Sequence, residues 1–301
     1  MFTAPQLRVG EALTHNRLTV FPIFRDPASS PGYRLSGDAL ADGTAVVEEV
    51  NEGGNVPNLA VENRGDTLVL FLEGEELRGA KQNRVLNTSV LIPAKIKTVL
   101  PVSCVEQGRW RYTSKHFTSS GMHSSSKMRS VLKKSVNMST LSGGGHSSDQ
   151  GEVWSEVSRQ MAACGSSSQT MAMADCYDSH SETLKEHVEN IPYSEGATGL
   201  AVVVGGKLVA VDVFDAPETC QKVWGRLLTG VTMDAVESTD AATPDPTAVK
   251  DALDTFTGGP WESVQAVAAG EEYRGDIAGK WHGSVLALDG AIVHGSLVLA
   301  G

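Results

Sequence analysis

Residues 67–110 read TLVLFLEGEELRGAKQNRVLNTSVLIPAKIKTVLPVSCVEQGRW, and this stretch holds both the strand pattern and the densest polar cluster of the chain. Short apolar runs bounded by turn residues (TLVLFLEG, NRVLNTSVLIPA, TVLPVSCVE) read as buried strands. Polar side chains crowd the ends of those runs, where pockets are usually built. Glu73, Glu75 and Glu76 supply acids, Lys81 and Arg84 cations, Gln82 and Asn83 amides. Cys104, Glu106, Arg109 and Trp110 come after the next run.

Working outward, RLTVFPIF and TAVVEEV add earlier strand candidates, separated by the loop-like RDPASSPGYRLSGDALADG. Strands at this spacing predict an antiparallel barrel- or sandwich-like part over residues 1–111. Residues 112–148 read as a basic, Ser/Gly-rich mobile segment, with MRSVLKKSVNM as a candidate basic helix. From residue 107 to 148 there are seven Lys or Arg and no acid, in a chain whose net charge is −11. That concentration fits either a solvated loop or an anion-facing segment that closes over a phosphate.

Residues 149–301 read as an α+β part, which can form one domain with the first. Ser148 or Asp149 is placed to cap a helix through SDQGEVWSEVSRQMAAC, and a second helix is expected through MAMADCYDSHSETLKEHVEN. TGLAVVVGGKLVAVDVFDA reads as a hairpin turning at Gly205-Gly206. A helix comes next with Val223, Trp224, Leu227 and Leu228 on its apolar face, and Asp215 lies in its N-cap region. TAVKDALDTF predicts a short helix, and Asp289-Gly290 a final hairpin. The fold class expected is α+β: an antiparallel β-rich N-terminal half, a helical middle and a C-terminal β-hairpin plus helix unit.

Composition narrows the function. The negative net charge argues against general nucleic-acid or anionic-membrane binding. No run approaches the length of a membrane span and no signal-peptide pattern opens the chain, so a cytoplasmic location is expected. The four cysteines are widely spaced with no CxxC, which fits reduced thiols.

Glu73 and Glu75, at alternate positions of one strand, would face one cavity, with Glu106 as a third carboxylate. Such a set suits a hard cation such as Mg or Mn, or acid/base catalysis; the competing reading is solvent-facing turn residues paired with Arg78 and Lys81. Lys81, Gln82, Asn83, Arg84 and Arg109 would hold anionic oxygens, a base or a ribose, and Trp110 would stack on an adenine. The alternatives are a charged edge that discourages sheet aggregation and a core tryptophan. Cys104 and Arg109 lie five apart, but Glu106 between them would repel a phosphate, so a buried structural thiol is favoured over a nucleophile.

The segments EGEELRGAKQNRVLN, PVSCVEQGRW, SGGGHSSDQGEVW and AVDVFDAPETCQKVW resemble the ARPP-1 family, over residues 13–234. That name abbreviates ARG and rhodanese-phosphatase-superfamily-associated protein. The resemblance implies an association with ADP-ribosylglycohydrolases and phosphatase-like enzymes, and hence with NAD or ADP-ribose metabolism. It carries no catalytic residue set. Two function classes result. One is a hydrolase or phosphoesterase acting on a nucleotide-like, ADP-ribose-derived ligand through Glu73, Glu75 and Glu106. The other is a non-catalytic module that binds such a ligand or docks partner enzymes. A structural assembly protein is a third, blander reading.

Overall fold

The structure, a computed structural model, describes residues 2–26 and 30–301. It is an α+β fold built on antiparallel sheets. The largest sheet runs Leu7–Val9, Leu18–Arg25, Gly199–Val204, Lys207–Phe214, Ala291–Leu299, Trp281–Leu288, Glu271–Ile277 and Glu262–Val264, with Leu13–His15 also pairing to Leu18–Arg25. N-terminal strands therefore share a sheet with strands from the C-terminal third.

Seven helices occur among the described residues: α1 Ser36–Ala41, α2 Ser126–Leu141, α3 Gln150–Ala163, α4 Met173–Ser179, α5 Ser181–Asn190, α6 Pro217–Glu237 and α7 Pro246–Gly258. α6 covers one face of the large sheet, packing Val223, Trp224, Leu227 and Leu228 against Leu200, Val202 and Val298. α7 covers the other, packing Val249, Leu253 and Phe256 against Ala201, Val203 and Val211. Successive residues of a strand face opposite sides, so a sheet covered on both faces is apolar at every position. That is why Gly199–Val204 reads GLAVVV with no polar alternation. Both hairpin turns are set by residues at positive φ: Gly205 and Gly206 at 57° and 85°, Asp289 and Gly290 at 52° and 77°.

The polar stretch of residues 67–110 feeds two smaller sheets around a shared core of Val47, Val61, Phe71, Leu86 and Val102. One has six strands in the order Phe117–His123, Glu75–Gly79, Arg84–Leu86, Lys97–Cys104, Asn58–Asn63 and Ala45–Glu49. The other places Leu68–Phe71 between Val90–Ile92 and Tyr33–Leu35, the last pairing being parallel. α2, α3, α4 and α5 pack around Met128, Leu132, Val153, Val157 and Tyr177, whereas α1 places Ala39 in the core of the two smaller sheets.

Four local expectations change. TLVLFLEG is not one strand with its successor: Gly74 sits at φ 79°, the Glu75 N–H donates to the Leu72 carbonyl at 3.1 Å, and the chain passes from one sheet to the other. The loop expected between residues 25 and 43 carries the strand Tyr33–Leu35 and α1, its residues 27–29 lying outside the described residues. The single helix expected over residues 171–190 breaks at His180, whose φ of −113° and ψ of 17° end α4 and start α5. The basic segment holds the strand Phe117–His123 and α2, with Arg129 and Lys133 fully buried rather than solvated. Asp149 does cap α3, accepting from the N–H groups of Gly151 and Glu152.

Candidate functional site

The three acids singled out from the sequence occupy three separate ion-pair sets. Glu73 is fully buried between Lys133, whose ammonium it contacts directly, and the Arg129 Nε at 3.5 Å. Burial alone would raise its carboxyl; Lys133 and Arg129 outweigh that and hold it down at about 2. Glu75 accepts from Arg226 Nη1 at 2.9 Å and from the Ser36 hydroxyl at 2.6 Å. Glu106 takes a two-pronged bond from Arg109, at 2.7 and 2.6 Å. The turn at Gly74 is the physical reason that Glu73 and Glu75 do not share a strand face. The three carboxylates therefore do not converge on one Mg or Mn ion, and no group of three or more His, Cys, Asp or Glu suited to a metal occurs among the described residues.

The cationic half does come together. Gly79 at φ 133° and Ala80 at φ 39° turn the chain between Glu75–Gly79 and Arg84–Leu86, presenting residues 81–83 at a corner. Asn83 donates its N–H to Glu106 Oε2 at 3.0 Å, and its side-chain oxygen accepts from Arg109 Nη2 at 3.1 Å. Arg109 also donates to the Ala80 carbonyl at 2.7 Å. Gln82 donates to the Glu106 carbonyl at 2.9 Å and accepts from Arg84 Nη1 and the Cys104 thiol, both at 3.2 Å. Asn83, Glu106 and Arg109 thus form a satisfied scaffold. Burial would raise Glu106, but the hydrogen bonds from Arg109 and Asn83 leave it below the usual carboxylate range. Burial pushes the Cys104 thiol up, which fits the structural reading of that residue.

Arg84 is different. Its side chain is fully buried, yet Nε and Nη2 make no hydrogen bond. Its nearest carboxylate, Glu49 Oε1, is 3.9 Å away, and Glu49 Oε2 is itself without a partner. The guanidinium lies 5.9 Å from the Trp110 ring. Lys81 Nζ sits 5.2 Å from the centre of Trp110 and 5.1 Å from that of Tyr112, and donates to the carbonyls of Glu52 and Gly53 at 2.6 and 2.7 Å. Those bonds pull the 51–54 loop onto the corner, where a Cβ on Gly54 would lie 3.1 Å from both Lys81 and Trp110. Trp110 and Tyr112 are 47% and 51% exposed, and a cleft of about 640 Å³ opens beside them, lined by residues 48–52 and 112–115. Trp110 is thus a surface aromatic, not core. Glu49 is the residue sequence reasoning missed here; its signal was the inward phase of an alternating strand, Ala45–Glu49, with burial pattern BiBiB.

A second missed constellation lies under α2. Arg129 forks onto Asp212 at 2.9 and 2.6 Å, Asp212 accepts from or pairs with His294 Nε2 at 3.1 Å, and His294 Nδ1 meets the Ser89 hydroxyl at 2.8 Å. Ser89 in turn accepts the Glu73 N–H at 3.0 Å, and Lys133 donates to Ser284 at 2.6 Å. A serine, histidine and aspartate in series suggest a nucleophile relay. All three are buried and the aspartate is committed to Arg129, so the chain joins elements. An aspartate inside the apolar run VAVDVF, and Arg129 and Lys133 four apart on one helix face, were the available signals. Asp215, expected near a helix cap, instead accepts from Tyr33 and Ser30, and α6 has no side-chain cap.

Fold and site together define an α+β protein with a cationic corner between the strands Glu75–Gly79 and Arg84–Leu86 of its six-stranded sheet. The family model of the ARG and Rhodanese-Phosphatase-superfamily-associated Protein domain, ARPP-1, matches residues 6–298, and the chain belongs to that family. No curated protein and no solved structure matches the chain. No helix among the described residues is long and apolar enough to cross a membrane.

Proposed function

We propose that this chain is a ligand-binding module that takes a nucleotide-like, ADP-ribose-derived anion at the Arg84 corner, and works beside the enzymes its family name records. One observation carries the reading: a fully buried guanidinium with two unpaired N–H-bearing nitrogens beside an exposed Trp110–Tyr112 platform. A buried guanidinium with two nitrogens left without a hydrogen bond is costly, and an anionic oxygen accepting from both would relieve that cost. The two aromatics offer a stacking surface to a base, and Glu49 Oε2 an acceptor to a ribose hydroxyl. Entry to Arg84 requires the 51–54 loop to lift from Trp110.

Binding is favoured over hydrolysis because Glu73, Glu75 and Glu106 are each occupied by cations. A hydrolytic reading rests on Glu49 alone, whose free oxygen beside Arg84 is placed to act as a general base. Thermal-shift measurements with ADP-ribose, AMP and inorganic phosphate, with and without Mg²⁺ or Mn²⁺, test the proposal, because a ligand of the folded state raises Tm by mass action. A shift with ADP-ribose and no product on prolonged incubation is expected. Product formed by the wild type and lost in Glu49→Gln would establish the hydrolase instead.

A further inference from the structure

The strand Ala45–Glu49 reads AVVEE and alternates between inward and outward positions. Its inward residues are Ala45, Val47 and Glu49, so a carboxylate stands where the pattern calls for a third apolar side chain. Glu48, facing outward, has Lys97 at 3.6 Å and His116 at 3.8 Å. Glu49 has only the corner. Its Oε1 accepts the Lys81 N–H at 3.3 Å and lies 3.9 Å from Arg84 Nη2, too far for a hydrogen bond, and its Oε2 has no partner. Arg84 donates through Nη1 alone, to Gln82 Oε1 at 3.2 Å and the Asn83 carbonyl at 3.4 Å. Two donors on Arg84 and one acceptor on Glu49 are therefore left open on neighbouring buried side chains, and Glu49 also lines the cleft beside Tyr112.

A ligand that completes this set offers an acceptor to Arg84 and a donor to Glu49. A singly charged phosphate with a neighbouring hydroxyl offers both. A doubly charged phosphate offers acceptors alone and sets its second charge against a carboxylate. Because the Glu49 charge offsets that of Arg84, the second ligand charge gains little attraction while its desolvation cost rises. The other two cations of the corner are already engaged. Arg109 pairs with Glu106 at 2.6 Å, and Lys81 Nζ is held over Trp110 by the Glu52 and Gly53 carbonyls.

Resting on the reading of this corner as an anion site, we propose that Glu49 sets its ligand class. It admits phosphodiesters and pyrophosphate diesters, whose phosphates carry one charge each, and rejects phosphomonoesters, whose phosphate carries two. ADP-ribose falls in the first class and AMP in the second. Arg84 reads the single charge, and Glu49 Oε2 reads the hydroxyl donor beside it. A dianion has no donor to give and is turned away by the carboxylate itself.

The test titrates three ligands into the intact chain in a calorimeter: ADP-ribose, AMP, and the methyl ester of AMP, which keeps the adenosine and removes one charge. A phosphomonoester loses its second proton near pH 6, so at about pH 7.5 AMP is almost wholly the dianion. The wild type is expected to bind the methyl ester about tenfold or more tightly than AMP. Glu49→Gln keeps a carbonyl acceptor and loses the charge, and should narrow that gap to about threefold or less. An affinity for the methyl ester no better than for AMP, undetectable binding of both included, would overturn the assignment, and so would an unchanged gap in folded Glu49→Gln. The comparison of the two esters needs no variant, so it stands even where Glu49→Gln fails to fold. ADP-ribose separates the two levels of the account. Binding of ADP-ribose without the gap removes only the selectivity assigned to Glu49, whereas no binding of any of the three removes the anion site as well.

Discussion

Arg129 on α2 and Asp212 on the strand Lys207–Phe214 meet in a two-pronged ion pair at 2.9 and 2.6 Å, with both side chains buried. The pair joins the helical middle to the large sheet across 83 residues of sequence. Removing one partner of such a pair strands the other charge in the interior. Arg129→Met is therefore expected to lower unfolding stability by about 3–5 kcal/mol, read by urea denaturation. A loss below about 1 kcal/mol would mean that water or a rearrangement already compensates Asp212.

Asp234 makes stability fall as pH rises in the acid range. Burial raises its carboxyl to about 6, against the Ser126 N–H bond that lowers it. The unfolded value is about 3.9, so between the two the folded chain binds the extra proton, and its contribution is full below about 3.9 and lost as pH rises through about 6. Asparagine keeps an acceptor for Ser126 but does not titrate. Asp234→Asn should thus gain on the wild type by an amount on the order of 3 kcal/mol between pH 4 and pH 7. Paired urea titrations at those two pH values check this; a constant difference between the proteins would contradict it.

Gly230 lies inside α6, where alanine ordinarily favours the helix by about 1 kcal/mol. Here a Cβ would meet the Ser124 carbonyl at 2.3 Å and that of His123 at 2.8 Å. Gly230→Ala should consequently lower Tm, and a rise would show that residues 123–124 can yield to the helix.

What the sequence disclosed was local. Gly205-Gly206, Asp289-Gly290 and the Asp149 cap each act within a few residues, so their chemistry is written where they act. The apolar face of α6 was legible for the same reason. What it withheld depends on partners distant in the chain. Arg129 and Lys133 read as part of a solvated loop or an anion-facing segment because Asp212 and Glu73, which neutralise them, are 83 and 60 residues away. Glu73 and Glu75 read as one face because only the crossing at Gly74 separates them into two sheets. In the candidate site, the cationic and amide residues 81–84 with Arg109 and Trp110 do gather at one corner. Glu49 escaped notice because its strand joins them only through the six-stranded sheet.

Arg84 should cost the fold stability. Two of its nitrogens are buried without a hydrogen bond, and methionine fills a similar space with no charge to desolvate. Arg84→Met is expected to stabilise the ligand-free protein by about 1–3 kcal/mol in denaturant unfolding. Destabilisation by that amount would show that Glu49 already compensates the guanidinium at 3.9 Å.

Calorimetric titration of ADP-ribose into the wild type and into Arg84→Met, with folding of both verified by thermal melts, decides whether the corner binds this ligand. Measurable binding to the wild type is expected, with at least a tenfold loss in the variant, about 1.4 kcal/mol or more, although the variant is no less stable. Equal affinity in the two proteins, or no heat from the wild type at millimolar ligand, would contradict the assignment of Arg84 as the anion-binding group.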